Sequence, residues 1–121
     1  MVVWVALAGA LGALARYLVH GAVQSRASGL FPYGTVVVNI GGSLAVGVLT
    51  GLFLYHGLDA DVRTIVGTGF LGAYTTFSSF SYETLGLLRD DAPRAAAVNA
   101  FGSVAAGLVA AAIGLGVAGL L

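Results

Sequence analysis

Four long apolar stretches, separated by short polar segments, dominate the pattern of side chains along this chain. A hydrocarbon core about 30 Å thick is crossed by about 20 apolar residues in an α-helix, so each stretch is long enough to span a bilayer. The 121 residues hold four such spans and leave no room for a separate soluble domain. The pattern predicts one all-α transmembrane domain over residues 1–121, with helices at about Val2 to Val23, Tyr33 to Tyr55, Val62 to Leu88 and Ala95 to Leu120.

The third stretch differs from the others in length and in composition. It is too long for one straight crossing, and Gly67, Gly69 and Gly72 precede a run of Thr, Ser and Phe from Thr75 to Ser81. Glycine-rich interruptions in membrane helices mark kinks or breaks. We therefore expect the third helix to break near Gly72 to Thr76.

Close helix packing is expected from small residues at four-residue spacing. Ser43, Gly47 and Gly51 lie along one face of the second span at this spacing. Small residues on such a face let two helix backbones approach closely in a membrane. The sequence predicts a tightly packed bundle.

Composition and charge exclude several classes of function. Hydrophobic residues make up 59% of the chain and charged residues 8%, which is typical of a protein dissolved in lipid. The formal net charge is zero with no basic stripe, so nucleic acid is not expected as a partner. The absence of cysteine excludes disulfides and thiolate chemistry. The first span lacks a basic leading region and a small-residue cleavage pattern, so we expect it to be retained as a helix.

Uncharged polar residues inside the spans are the strongest sign of a functional site. Hydrocarbon penalises each of them, so they must face protein or water. Their simplest role is hydrogen bonding between helices. That role explains one or two of these residues but does not readily explain so many in one tract. They are Asn39 in the second span, Thr75, Thr76, Ser78, Ser79 and Ser81 in the third, and Asn99 and Ser103 in the fourth.

Phe77 and Phe80 lie three residues apart and therefore share one face of the third helix. Packing against lipid or other helices is their default role. Aromatic rings have positive edges, however, and ring edges beside amide and hydroxyl donors make an uncharged site for a small anion. Neutral donors replace hydration without holding an ion too tightly, as conduction requires. A break at Gly72 to Thr76 also frees backbone carbonyls, which are ligands for Na⁺ or K⁺ in a dry interior.

Ionisable groups are nearly absent from the middle of the spans, which argues against a proton relay and against catalysis. Glu83 is the only carboxylate in the membrane region, and it is either a residue of the headgroup layer or part of a polar track leading away from the two Phe. His20 and His56 lie near helix ends, so the Ser and Thr residues have no base at triad-like placement. We do not expect an enzyme.

Three stretches of the sequence together resemble one known family. They are GALGALARY (Gly9 to Tyr17), PYGTVVVNIGGSLAVG (Pro32 to Gly47) and GFLGAYTTFSSFSYE (Gly69 to Glu83). With the four-span plan, the chain resembles the Fluc-type (CrcB) fluoride channels of microbial membranes. The resemblance implies an antiparallel, dual-topology homodimer in the plasma membrane with two fluoride pores. It also implies a central structural Na⁺ held by the backbone carbonyls of Gly72 and Thr75.

The same resemblance implies roles for individual residues of a channel domain over 1–121. Asn39 donates to fluoride, Phe77 and Phe80 line the path with their ring edges, and Ser103 adds a hydroxyl. Further pore residues are expected at Thr76, Ser78, Ser79 and Glu83.

Four positions stand apart from the others within the resemblance. Arg16 has a structural or entrance role. Tyr74 stands where a smaller or purely apolar residue is frequent, Ser79 where Thr is frequent and Asn99 where Tyr is often found. These departures leave the predicted fold unchanged and concern the pore contacts of the fourth span.

The hypothesis from sequence is passive, fluoride-selective conduction that exports fluoride across a microbial plasma membrane and relieves its toxicity. A small dual-topology multidrug transporter is the alternative of similar length, but such transporters depend on a glutamate in the first span, and this first span has none. A third possibility is a packing or assembly subunit that transports nothing, favoured if the Ser/Thr tract serves only to hold helices together.

Overall fold

The computed structural model describes residues 1–121 and is entirely helical apart from short connections. The helices are α1 Val2–Arg26, α2 Tyr33–His56, α3 60–74, α4 Phe77–Arg89 and α5 Pro93–Leu120. The first two stretches each form a single helix, whereas the third forms two consecutive helices, α3 and α4. α3 consists of Ala60–Arg63, a π-helical segment Thr64–Leu71, and Gly72–Tyr74. α5 contains a second π-helical segment, Val98–Gly102.

Three of these helices, α1, α2 and α5, have the length and apolar character needed to cross a membrane. The third predicted crossing is made by α3 and α4 together, and the predicted break is confirmed. The chain leaves the helix at Thr75 and Thr76, whose φ/ψ angles of −79/157° and −146/117° are extended. Gly72 itself remains helical, so the break lies at the C-terminal end of the predicted interval.

The segment after the first span differs from the expected loop. The sequence pattern predicts that the first span ends at about Val23, but α1 continues through Gln24 and Ser25 to Arg26. The Arg26 guanidinium donates to the carbonyl of Ala22, one turn earlier, at 3.0 Å, which satisfies an acceptor at the helix end. The true connection is therefore shorter and begins at Ala27.

α2 and α5 form the most extensive helix pair of the bundle, and glycine makes their close approach feasible. A Cβ atom on Gly47 would overlap the backbone carbonyl of Ala111, and one on Gly114 would overlap the carbonyl of Leu44. Gly51 faces the side chain of Ala118 in the same way. The small-residue face predicted on α2 is confirmed as a helix contact.

α1 packs mainly on α3, again through glycine. A Cβ on Gly12 would overlap the carbonyl of Phe70, and one on Gly69 would lie 2.9 Å from the Cβ of Ala8. The outer surface of the bundle is strongly apolar, with Trp4, Phe101 and Leu108 among its exposed side chains. A surface of this kind belongs in lipid or against another protein, not in water.

Candidate functional site

The break between α3 and α4 is held open by the side chain of Asn39. The Asn39 Nδ2 donates to the carbonyl oxygen of Thr76 at 2.8 Å, and its Oδ1 accepts from the Thr76 N–H at 2.8 Å. The amide thus takes both backbone groups of a residue that no longer bonds within a helix. Because Nδ2 carries two hydrogens, one N–H of Asn39 remains for another acceptor.

Backbone carbonyls at the end of α3 lose their helical partners as a result. The Thr76 N–H, which in a continuous helix would bond to Gly72, donates to Asn39 instead. The Thr75 carbonyl accepts from Nη1 of Arg16 at 3.4 Å. Carbonyl oxygens suit hard cations, but such ions take about six oxygen ligands. The carbonyls of Gly72 and Thr75 in one chain are too few to complete such a shell by themselves, and the Arg16 guanidinium lies beside the Thr75 carbonyl.

A cavity of about 420 Å³ adjoins the break, and we call it the central groove. It lies between α2, α5 and the start of α4. Hydroxyl and amide groups alternate there with apolar side chains, and no ionisable residue lines it. Its lining consists of Asn39, Ser43, Val46, Thr75, Thr76, Phe77, Ser103, Val104, Gly107, Leu108 and Ala111.

Phe77 and Phe80 pack beside one another on α4, as their spacing predicts. Their ring centroids are 5.8 Å apart with an angle of 46° between the planes, so ring edges as well as faces are presented. Phe77 is 79% exposed on the single chain and lines the central groove, whereas Phe80 is half-buried and lies outside its lining.

The first turn of α4 orients the hydroxyl groups next to the two Phe. Thr76 precedes the helix, and its Oγ1 accepts from the Ser79 N–H at 3.1 Å, which caps the helix. The hydroxyls of Thr76 and Ser78 lie 3.4 Å apart. Ser78 is exposed, and Ser79 faces α1 and α2.

Glu83 lies in a second cavity, of about 280 Å³, which we call the side groove. Its Oε1 accepts from the hydroxyl of buried Thr35 at 2.8 Å, while its Oε2 is buried without a hydrogen-bond partner in the chain. Thr76 lines both grooves, so both cavities adjoin the break. The side groove is lined by Ala13, Arg16, Tyr17, His20, Thr35, Val38, Thr76, Ser79 and Glu83.

Asn99 is almost fully buried, at 1% exposure, and links α4 to the central groove. Its Nδ2 donates to the Thr84 Oγ1 at 2.8 Å, and its Oδ1 accepts from the Ser103 hydroxyl at 3.2 Å. The Thr84 hydroxyl in turn donates to the Phe80 carbonyl at 2.8 Å. In this arrangement the Ser103 hydroxyl presents lone pairs to the groove, because its hydrogen points at Asn99.

The structure thus brings most of the predicted residues to two adjoining cavities. Tyr74 lies outside both grooves and stacks on Phe70, with ring centroids 6.0 Å apart. Sequence reasoning missed Thr35 and Thr84. Thr35 could have been found, because it lies one turn before Asn39 on α2. Around the central groove are Asn39, Thr75, Thr76, Phe77 and Ser103, and around the side groove are Thr76, Ser79 and Glu83.

These features define a small polytopic membrane protein whose polar interior is built around a broken helix. Comparison with known proteins then gives the family. Residues 3–115 match the family described as CrcB-like protein, Camphor Resistance (CrcB), and the chain belongs to that family. The protein is a multi-pass protein of the plasma membrane, and the resemblance read from the three sequence stretches is confirmed.

Curated relatives match over almost their whole length. A protein of Leifsonia xyli subsp. xyli named fluoride-specific ion channel FluC 1 is 46% identical over 120 residues, covering 99% of this chain and 88% of the relative. A FluC 1 protein of Symbiobacterium thermophilum is 48% identical over 115 residues, covering 93% of each chain. A FluC protein of Nitratidesulfovibrio vulgaris is 46% identical over 116 residues, covering 95% of this chain and 94% of the relative.

Proposed function

We propose that this protein is a passive, fluoride-selective ion channel that exports fluoride across the plasma membrane and so relieves fluoride toxicity. The observation that carries the proposal is the central groove, an uncharged polar cavity at a broken membrane helix, lined by Asn39, Phe77 and Ser103. The names of the relatives, fluoride-specific ion channels, support the same ion. No observation favours the multidrug transporter, and an ion channel of this kind is not an enzyme.

Fluoride needs donors that replace its hydration and release it again. The free N–H of Asn39 is such a donor, since its other N–H is fixed on Thr76. The positive ring edge of Phe77 supplies weak attraction in the same groove, and Phe80, which packs beside Phe77 outside that lining, extends this attraction along α4. The Ser103 hydroxyl contributes as a donor when it rotates away from Asn99, an exchange of one hydrogen bond for another.

The polar track of this proposal continues from Thr76 and Ser78 past Ser79 to Glu83. Glu83 is the one acidic group on the track, and an ionised carboxylate repels an anion. The Thr35 hydroxyl, which donates to Oε1, holds that carboxyl against α2 and to one side.

An antiparallel homodimer with two pores is part of the proposal. The 79% exposure of Phe77 at the open side of the central groove suits coverage by a second copy. Each copy carries one central groove, which gives two pores. The partial cation shell at Gly72 and Thr75 is doubled in the same way, so we propose that a structural Na⁺ lies between the copies and offsets the charge of passing anions.

A flux assay on reconstituted protein tests the function. Liposomes loaded with sodium fluoride and carrying the purified protein are expected to release fluoride on addition of a sodium-selective carrier, without a proton gradient. Chloride-loaded liposomes, otherwise identical, are expected to release little chloride. Folded protein that releases neither ion, or that releases both equally, would contradict the proposal. Proton-coupled export of an organic cation would restore the transporter alternative.

Topology is tested with tags on the two termini. In an antiparallel dimer both termini are expected on both sides of the membrane, so that about half of the tags are cleaved by an external protease. A control is the same chain with three lysines added to the 27–32 connection, which biases insertion toward one orientation. Complete cleavage, or none, in the unaltered chain would exclude dual topology.

A further inference from the structure

A third cavity, of about 270 Å³, lies beside the C-terminal half of α2, and we call it the outer groove. It is lined by α2 on one side and by the first turns of α3 on the other. Arg63 is its only charged residue, and three threonines and a glycine surround it. The lining residues are Val46, Leu49, Thr50, Arg63, Thr64, Gly67 and Thr68.

Two hydroxyls of the outer groove are free. Thr64 donates to the carbonyl of Ala60, one turn earlier, at 3.0 Å, as hydroxyls on helices often do. Thr50 and Thr68 make no hydrogen bond within the chain, although both lie on helices of the membrane-spanning bundle. Free hydroxyls are penalised in hydrocarbon, so the groove suits water or a polar ligand.

The Arg63 charge is held beside these hydroxyls without an acidic partner. Its guanidinium carbon lies 4.4 Å above the centroid of the Phe53 ring, a cation–π contact that leaves the N–H donors available at the ring's rim. The neighbouring carboxylate of Asp59 accepts from the N–H groups of Asp61 and Val62 and caps α3. A cation with free hydroxyls and no acid in the lining is the chemistry of an anion site.

The outer groove and the central groove adjoin one another along one face of α2. Asn39, Ser43, Val46, Thr50 and Phe53 follow one another at intervals of three or four residues and therefore share that face. Val46 lines both cavities. Along this face, Asn39 is the nearest residue beyond Val46 and Ser43 with an N–H free to bind an ion.

We propose that the outer groove is an anion-collecting site, in which Arg63 and the Thr50 and Thr68 hydroxyls bind a small hydrated monovalent anion before it enters the central groove. This inference rests on the proposed function. A single charge at the mouth of a path raises the local concentration of anions without entering the selective part. Arg63 therefore sets how fluoride is captured at low concentration and leaves the ion's selection to the central groove.

The test is the fluoride dependence of flux for Arg63→Gln and Arg63→Lys in phosphatidylcholine liposomes. In Arg63→Gln the half-saturating fluoride concentration is expected to rise about three- to tenfold, with the maximal rate and the fluoride-to-chloride ratio unchanged. Arg63→Lys keeps the charge and is expected to stay close to wild type. Thr68→Val is expected to raise the half-saturating concentration less than Arg63→Gln. Arg26→Gln, which removes an exposed arginine elsewhere, is the matched control.

Three outcomes would overturn the inference while the proposed function stands. The first is unchanged half-saturation in Arg63→Gln with normal wild-type flux. The second is a loss confined to the maximal rate, which assigns Arg63 a structural role. The third concerns liposomes to which anionic lipid is added. If the loss of flux in Arg63→Gln grows with the fraction of anionic lipid and does not depend on the fluoride concentration, Arg63 binds a lipid phosphate. Added sodium gluconate should lower low-fluoride flux in wild type and leave Arg63→Gln unaffected. Absence of fluoride flux in wild type would instead contradict the channel itself.

Discussion

Asn39→Ala is expected to lower fluoride flux about tenfold to a hundredfold, because it removes the N–H that faces the central groove. A hydrogen bond to a charged acceptor is worth about 1.5–3 kcal/mol, which corresponds to that range. The substitution also leaves the N–H and carbonyl of Thr76 without the partners they have in the structure. We therefore expect a loss of stability of about 2 kcal/mol in addition. Flux in liposomes and thermal unfolding in detergent measure the two effects separately.

Ser43→Ala is the matched control for Asn39→Ala. Ser43 lines the same groove one turn further along α2, but its hydroxyl donates to the Asn39 carbonyl at 2.9 Å and is already occupied. We expect its flux to remain within about threefold of wild type, because a hydroxyl that is bonded to the backbone of its own helix adds no free donor to the groove. Equal losses in the two variants would show that Asn39 is not a specific donor.

Gly47→Ala is expected to have the largest effect on folding. The added methyl group would overlap the Ala111 carbonyl and approach the backbone nitrogen of Leu115, so α2 and α5 would have to separate along their main contact. Overpacking against side chains costs about 1–3 kcal/mol, and backbone yields less readily, so we expect about 3 kcal/mol or more. The measurement is the midpoint of thermal unfolding, together with the fraction of monodisperse protein after detergent extraction.

Gly41→Ala controls for the change in helix propensity. Gly41 lies on the same helix and is exposed, and no neighbouring atom lies within 4 Å of the place that the new methyl group would take. Alanine is the better helix former by about 1 kcal/mol, so this variant is expected to be neutral or slightly stabilised. Similar midpoints for Gly41→Ala and Gly47→Ala would contradict the glycine-dependent contact between α2 and α5.

The fold was predictable from sequence to the extent that it depends on hydropathy and on glycines that interrupt a helix. Apolar length located the helices, and the glycines before Thr75 indicated the break, because both are local properties of the chain. The continuation of α1 to Arg26 was not predicted, because a polar segment after an apolar span is typical of a loop. Here the Arg26 side chain donates to the Ala22 carbonyl and caps the helix end, which the sequence pattern does not show.

The site was predictable in its members but not in its hydrogen bonds. Spacing shows that Phe77 and Phe80 share a face, and the structure places them together. Sequence spacing alone does not show three hydrogen bonds that the structure contains. They are the bonds of Asn39 to Thr76, of Thr35 to Glu83 and of Asn99 to Thr84. Each of these pairs joins different helices or a helix and the break, so their meeting depends on how the helices rotate about their own axes. The π-helical segments change that rotation, and composition gives no sign of them.

The two π-helical segments determine the direction in which the residues that follow them point. A π-helical turn takes up one residue more than an α-helical turn, so everything beyond it is rotated by about 100° relative to an uninterrupted helix. Thr64–Leu71 lies immediately before the last turn of α3, and Val98–Gly102 lies immediately before Ser103 in α5. The directions in which Thr75 and Ser103 point from the backbone therefore depend on the π-helical segments that precede them. Side chains at the grooves can therefore change in kind while the backbone keeps directing whatever residue stands there toward the same space.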